Sequence, residues 1–211
     1  MALVTEKEKV AHLLRRFGLG ASEAELDYYG RDGYRSAVAK LLAEAEEGPT
    51  LALEDTAVAK NGNIVMPGVM GWWAARLLTT RNPLREKMTL FWHDHFATSA
   101  EKVKSALFMA RQNEILRKGA LGPFRELLGS VSKDPAMIVW LDIAENRRGR
   151  PNENFAREVM ELFTMGEGSG YTEKDVQEAA RAFTGWSVAR NRDPELPKTE
   201  PRAEFRFRPA V

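Results

Sequence analysis

The chain has 211 residues, 44% of them hydrophobic and 29% charged, with 31 Lys and Arg against 30 Asp and Glu for a formal net charge of +1. That balance belongs to a globular protein rather than a disordered one, and it creates no global field toward nucleic acid or an anionic membrane. No cysteine is present, which excludes disulfides, thiolate metal sites and a cysteine nucleophile.

Charges interleave through Met1 to Phe17, so a signal-peptide run is missing, and no later segment approaches the ~18 to 20 apolar residues of a membrane span. The expectation is a soluble, cytoplasmic protein. Val10, Leu13, Leu14 and Phe17 fall on one helical face behind Thr5 and Glu8, which have capping-box spacing. Ser22 and Glu25 open a second helix to Tyr29 in the same way, and a third follows from Tyr34 to Glu46. Pro49, Gly62, Pro67 and Gly68 make 48–68 mostly loop. Val69 to Thr79 is helical again, and Asn82-Pro83 starts a helix through His95. Further helices are predicted over 102–118, 123–131, 135–142 (capped by Asp134), 153–165 and 173–186, the last entered through Thr172 and Asp175.

Pro194, Pro197 and Pro201 then forbid a helix, and Phe205 and Phe207 alternate with arginines as a short strand would. No earlier stretch alternates with period two, so this strand needs a partner from outside the chain, or the tail is loose. The class is therefore mainly α: a multi-helix orthogonal array of about eight to ten helices with a short extended C-terminal tail. Residues 1–190 form the helical domain and 191–211 a Pro-rich tail with a strand-like end.

Two clusters could carry chemistry. In Pro151 to Leu162, Phe155, Val159 and Leu162 form an apolar stripe, while Asn154, Glu158 and Glu161 line a polar one beside Arg157. Two carboxylates on one stripe can share a cation or act as acid and base; they can equally be a solvated face behind a capping Asn152 and a helix-start Glu153. In the second cluster His93 and His95 lie about 200° apart on a helix, so only one can serve a given ion. His95 continues the apolar stripe Leu84, Met88, Phe91, and His93 shares a side with Glu86 and Thr89. The alternative is a buried His95 tied to a carboxylate and an exposed His93.

His12 reads as surface. Gly166, Gly168 and Gly170 follow no strand and precede no Gly-Lys-Ser/Thr, and Gly-x-Ser-x-Gly is absent. Arg147, Arg148 and Arg150 make a basic loop that either touches phosphate or is solvated. The five tryptophans sit on helical apolar stripes and suit core packing.

The segments HLLRRFGLG at 12–20, PLREKMTLFWHDHFATS at 83–99, DPAMIVWLD at 134–142 and PNENFAREVMELFTMGEGSGYTEKDVQEAARAFTGW at 151–186 resemble successive blocks of the domain-of-unknown-function 1800 family, a bacterial family. The resemblance implies longer, often exported relatives, encoded beside a companion family that looks sulfatase-like. It also implies that His93, His95, Asn152, Glu153, Arg157, Glu158, Glu161 and Arg181 are more than solvated surface. Many relatives carry a histidine where this chain has Phe163, and their pattern runs on into a His-Asp block past Val211. On that pattern the chain is the front part of a longer domain.

Two functions follow. The first is a helical scaffold or interaction protein completed by the C-terminal half or by a protein partner such as the sulfatase-like companion. The alternative is a metal- or carboxylate-assisted hydrolase-like enzyme, with His95, Arg157, Glu158 and Glu161 as catalytic candidates and His93, His95, Glu158 and Glu161 as ligands for a divalent metal. Neither nucleotide nor nucleic acid is expected. The helix over 153–165 should pack on the His93/His95 helix, with Arg157, Glu158 and Glu161 answering one another or Arg181.

Overall fold

The computed structural model describes residues 5–43, 64–188 and 204–209. Most of the loop expected over 48–68 and the Pro-rich segment 191–201 lie outside these residues. The chain forms two compact units, Met1–Phe91 and Trp92–Val211.

In the first unit, α1 (Glu6–Phe17), α2 (Glu23–Gly30) and α3 (Gly33–Leu42) enclose a small core of Val10, Leu13, Leu14, Tyr29, Ala37 and Leu41. Both expected capping boxes are present, Thr5 with Glu8 and Ser22 with Glu25. Asp32 gives α3 no side-chain cap. Instead Glu6 of α1 accepts a hydrogen bond from Tyr34 N at 3.1 Å, so one helix supplies the anion that the start of another favours. Lys9 and then that amide hold the Glu6 carboxyl below its ordinary range.

Helix α4 (Met66–Thr79) buries Val69 and Trp72, and α5 (Pro83–His95) follows it. The face of α5 differs from the expected Leu84, Met88, Phe91 stripe. Glu86 and Thr89 are fully buried, whereas Phe91 is 54% exposed. A buried glutamate persists only with a partner, and Arg76 of α4 stands 3.3 Å from it. Hydropathy alone cannot see that pairing.

The second unit contains α6 (Ala100–Val103), α7 (Ala106–Gly119), α8 (Phe124–Ser132), α9 (Pro135–Trp140), a 3-10 turn (Ile143–Glu145), α10 (Asn154–Glu158) continuing as a π-helix (Val159–Thr164), and α11 (Glu173–Ala182). The helix expected over 102–118 breaks at Lys104, which takes a left-handed φ of 52°. Ser105 then caps anew, accepting from Phe108 N.

The core of this unit is Phe96, Leu116, Leu127, Val131, Met137, Ile138, Leu141, Ile143, Phe155, Phe163 and Val188. Helix α9 runs through it, touching α6, α7, α8 and the 3-10 turn.

The tail strand has its partner within the chain. β1 (Trp186–Val188) and β2 (Phe205–Phe207) pair antiparallel with Trp186 opposite Phe207 and Val188 opposite Phe205. This corrects the expectation of an unpartnered strand. Gly185 permits the join: its φ is +89° and a Cβ there would meet Arg208 O at 2.6 Å. Rings carry the hairpin onto the helices through Phe155–Phe183 at 4.9 Å, Phe183–Trp186 at 5.0 Å and Trp186–Phe205 at 5.1 Å. The mainly helical class holds, with a two-stranded C-terminal extension.

Helix α9 is capped by Asp134, 1% exposed, whose Oδ2 accepts from Met137 N at 3.1 Å and from Gln112 Nε2 at 2.8 Å. Burial outweighs these bonds and pushes the carboxyl up to about 7 from 3.8. The folded state therefore keeps a proton that the unfolded chain releases above about pH 4. The resulting stability is full below about pH 4 and is lost as the pH rises to about 7, by on the order of 4 kcal/mol. Asp134→Asn keeps the accepting oxygen and removes the titration. Urea unfolding from pH 4 to 8 is expected to show the variant gaining on wild type as pH rises. Parallel curves would mean that Asp134 stays ionised in the folded protein.

Candidate functional site

The family-like block from Pro151 is held from below by a residue outside it. Asn146 is 3% exposed. Its Nδ2 donates to Ala180 O in α11 at 2.6 Å, and its Oδ1 accepts from Asn152 N at 3.1 Å. One buried amide thus fixes the end of α11 and the entry to α10. Asn152 Oδ1 in turn accepts from Asn154 N at 3.0 Å, the capping role expected of it, although Glu153 occupies the N-cap position. Asn154 Nδ2 reaches back to Leu141 O at 3.4 Å.

The helix then widens. Met165 N bonds to Met160 O, five residues back, and the Thr164 hydroxyl donates to Val159 O at 2.6 Å. A π-turn takes about one residue more than an α-turn, so each residue advances by less than the α value of 100°. The expected stripe of Phe155, Val159 and Leu162 is shifted accordingly. Phe155 and Phe163 are buried in the core, whereas Leu162 is 64% and Met165 51% exposed.

Phe163 is where this helix meets the end of α5. Its ring lies 5.1 Å from Phe96 and 6.1 Å from His95. His95 Nε2 donates to the Phe163 carbonyl at 3.2 Å, and because a carbonyl only accepts, that nitrogen carries the proton. Half-buried His95 is thus tied to a backbone carbonyl. It satisfies one of the orphan acceptors at the helix end. Its ring also stands edge-on to Phe96 at 4.7 Å and to Trp92 at 5.6 Å. His93 is half-buried, not exposed, and burial lowers its pKa.

The charges sort differently from the expected set. Arg157 bonds to Glu161 at 3.1 Å and forks onto Glu173 of α11 at 2.9 and 2.6 Å, which raises its pKa and lowers that of Glu173. Arg181 pairs with Glu178 on its own helix. Glu158 has no hydrogen bond or ion pair among the described residues. Burial, and then the neighbouring Glu161, raise its pKa. Among the described residues no group of three or more His, Asp or Glu side chains stands where it could hold a metal ion. His93, His95, Glu158 and Glu161 therefore do not come together as one centre.

Beside Asn146 the surface opens into a cleft of about 520 Å³ lined by Glu145, Arg147, Arg150, Pro151, Asn152 and Glu153. Two of its lining residues, Asn152 and Glu153, are ones the family resemblance singled out. Asn146 was not anticipated, because an isolated asparagine in a loop carries no periodicity.

The fold and the site define a mainly helical protein with a π-widened helix at the centre of its most distinctive block. The chain belongs to the family described as protein of unknown function (DUF1800), whose model matches residues 12–211. No curated protein and no solved structure matches it. Among the described residues no helix is long and apolar enough to cross a membrane.

Two substitutions separate the roles. His95→Ala loses a hydrogen bond of about 0.5–1.5 kcal/mol together with ring contacts, and is expected to destabilise the protein by roughly 1–3 kcal/mol. A shift near zero in urea unfolding at equal m-value would show that the imidazole does not hold the helix end. Glu158→Gln removes a partly desolvated charge beside Glu161 and should leave stability unchanged or raise it by up to about 0.5 kcal/mol. A loss above 1 kcal/mol would reveal a partner for Glu158.

Proposed function

We propose that this protein is a helical scaffold or interaction protein that works with a protein partner, for which the sulfatase-like companion implied by the family resemblance is the specific candidate. The observation that carries this reading is the outer face of the π-helix. Leu162, within the π-helix, is 64% exposed and Met165, the residue that caps its C-terminus, is 51% exposed, with buried Phe163 between them in the chain. π-turns are rare and concentrate at functional positions. Here the widened turn presents Leu162 to solvent, and Met165 adds a second large apolar side chain just past its end.

Covering these side chains in a complex stabilises it by roughly 1–2 kcal/mol each, since they start about half exposed. The apolar face replaces the unpaired strand as grounds for a partner, because that strand is paired within the chain. The hydrolase-like alternative has less support, since among the described residues no three His, Asp or Glu side chains group where they could hold a metal ion.

The test is copurification of the companion with wild type and with Leu162→Ser/Met165→Ser, with unfolding curves run in parallel. Wild type is expected to retain the companion in stoichiometric amounts, and the double variant to retain at most a tenth as much at unchanged stability. Equal retention by both proteins, or none by wild type, would overturn the proposal.

A further inference from the structure

We propose that the turn Arg147–Arg150 is a binding site for a small, doubly charged oxyanion: a single phosphate group. The two arginines are held face to face. Arg147 N donates to Arg150 O at 3.2 Å and Arg150 N donates to Arg147 O at 2.9 Å, closing an antiparallel bridge across two residues. Gly149 has the φ of +77° that a type II turn requires at its third position. Directly opposed residues of an antiparallel pair put their side chains on the same face, with Cβ atoms about 4.5–5.5 Å apart.

Like charges so placed repel one another. Two arginines near the same block have carboxylates to neutralise them, Arg157 with Glu161 and Glu173 and Arg181 with Glu178. Arg147 and Arg150 are exposed, and neither guanidinium makes an ion pair or hydrogen bond among the described residues. A dianion between them converts the repulsion into two charge-assisted forks, the geometry in which guanidinium binds phosphate best.

The turn is also rigid where it must be. Buried Asn146 immediately precedes it and grips Asn152 N just beyond it, so little order has to be created on binding. Both arginines line the cleft with Asn152, whose Oδ1 is engaged by Asn154 N while its Nδ2 has no partner among the described residues. Glu145 and Glu153 line the same cleft. Their carboxylates repel a second phosphate and so favour one isolated group over a polyanion chain.

Calorimetric titration of the full chain with inorganic phosphate, against sodium chloride at matched ionic strength, tests the site. Phosphate is expected to bind saturably at one site. Arg147→Ala and Arg150→Ala should each weaken it about tenfold or more, and Arg148→Ala, at the turn apex, less than twofold. A second readout does not need the ligand. Arg150→Thr relieves the opposed charges and should melt above wild type in chloride, and phosphate should close that gap by raising wild type alone. Heat from phosphate no larger than from chloride, or an Arg148→Ala loss equal to that of Arg147→Ala, would overturn the site.

Discussion

The second unit depends on a helix whose leading turn is wholly buried. In Pro135–Trp140 the first four residues are all buried, so its leading amides cannot be hydrated and must be met from within. Proline at the first position removes one donor outright, and Asp134 satisfies Met137 N. The carboxyl that does this is itself removed from water, and Gln112 ties it to α7 while Thr98 bonds to Gln112 at 2.5 Å. A polar thread thus runs into the apolar core. The helices around α9 and strand β1 are arranged on the surface it presents.

The block most characteristic of the family is built outward from that core by two polar anchors and one irregularity. Asn146 joins the start of the block to the end of α11, and His95 bonds to the end of the π-helix between them. Between them the π-turn decides which side chains face in. Phe163 occupies a core position between His95 and Phe96, at the site where many relatives are expected to carry histidine. A phenyl ring supplies packing there but no lone pair, so in this chain the position serves cohesion.

What could be read from the sequence was what is local in the chain. Thr5 with Glu8, Ser22 with Glu25 and Thr172 with Asp175 each declare a helix start because both partners lie within one turn. Asp134-Pro135 was legible for the same reason. The burial of Glu86 could not be read because its partner, Arg76, belongs to another helix. Trp186-Ser187-Val188 is three residues long, too short for a period, and its pairing with Phe205–Phe207 spans a long intervening segment. The polar stripe of Glu158 and Glu161 was drawn at α periodicity, which fails where the ladder changes from four residues to five. Arg157 was expected to answer Glu158 or Glu161; it does bond to Glu161, but its bidentate partner, Glu173, comes from the next helix and could not be assigned by spacing.

The widened turn also bears on how this helix tolerates changes in length. An α-helix that loses one interior residue rotates everything beyond the deletion by about 100° and tears its buried face from the core. A turn that already carries a surplus residue can contract to four-residue bonding instead, leaving the flanking segments nearly in phase. Val159–Thr164 is therefore the place in this block where a chain one residue shorter could keep Phe155 and the downstream glycine loop in place. Relatives aligned across it by α periodicity would be matched one position out, with exposed Leu162 set against residues that are structurally equivalent to buried Phe163.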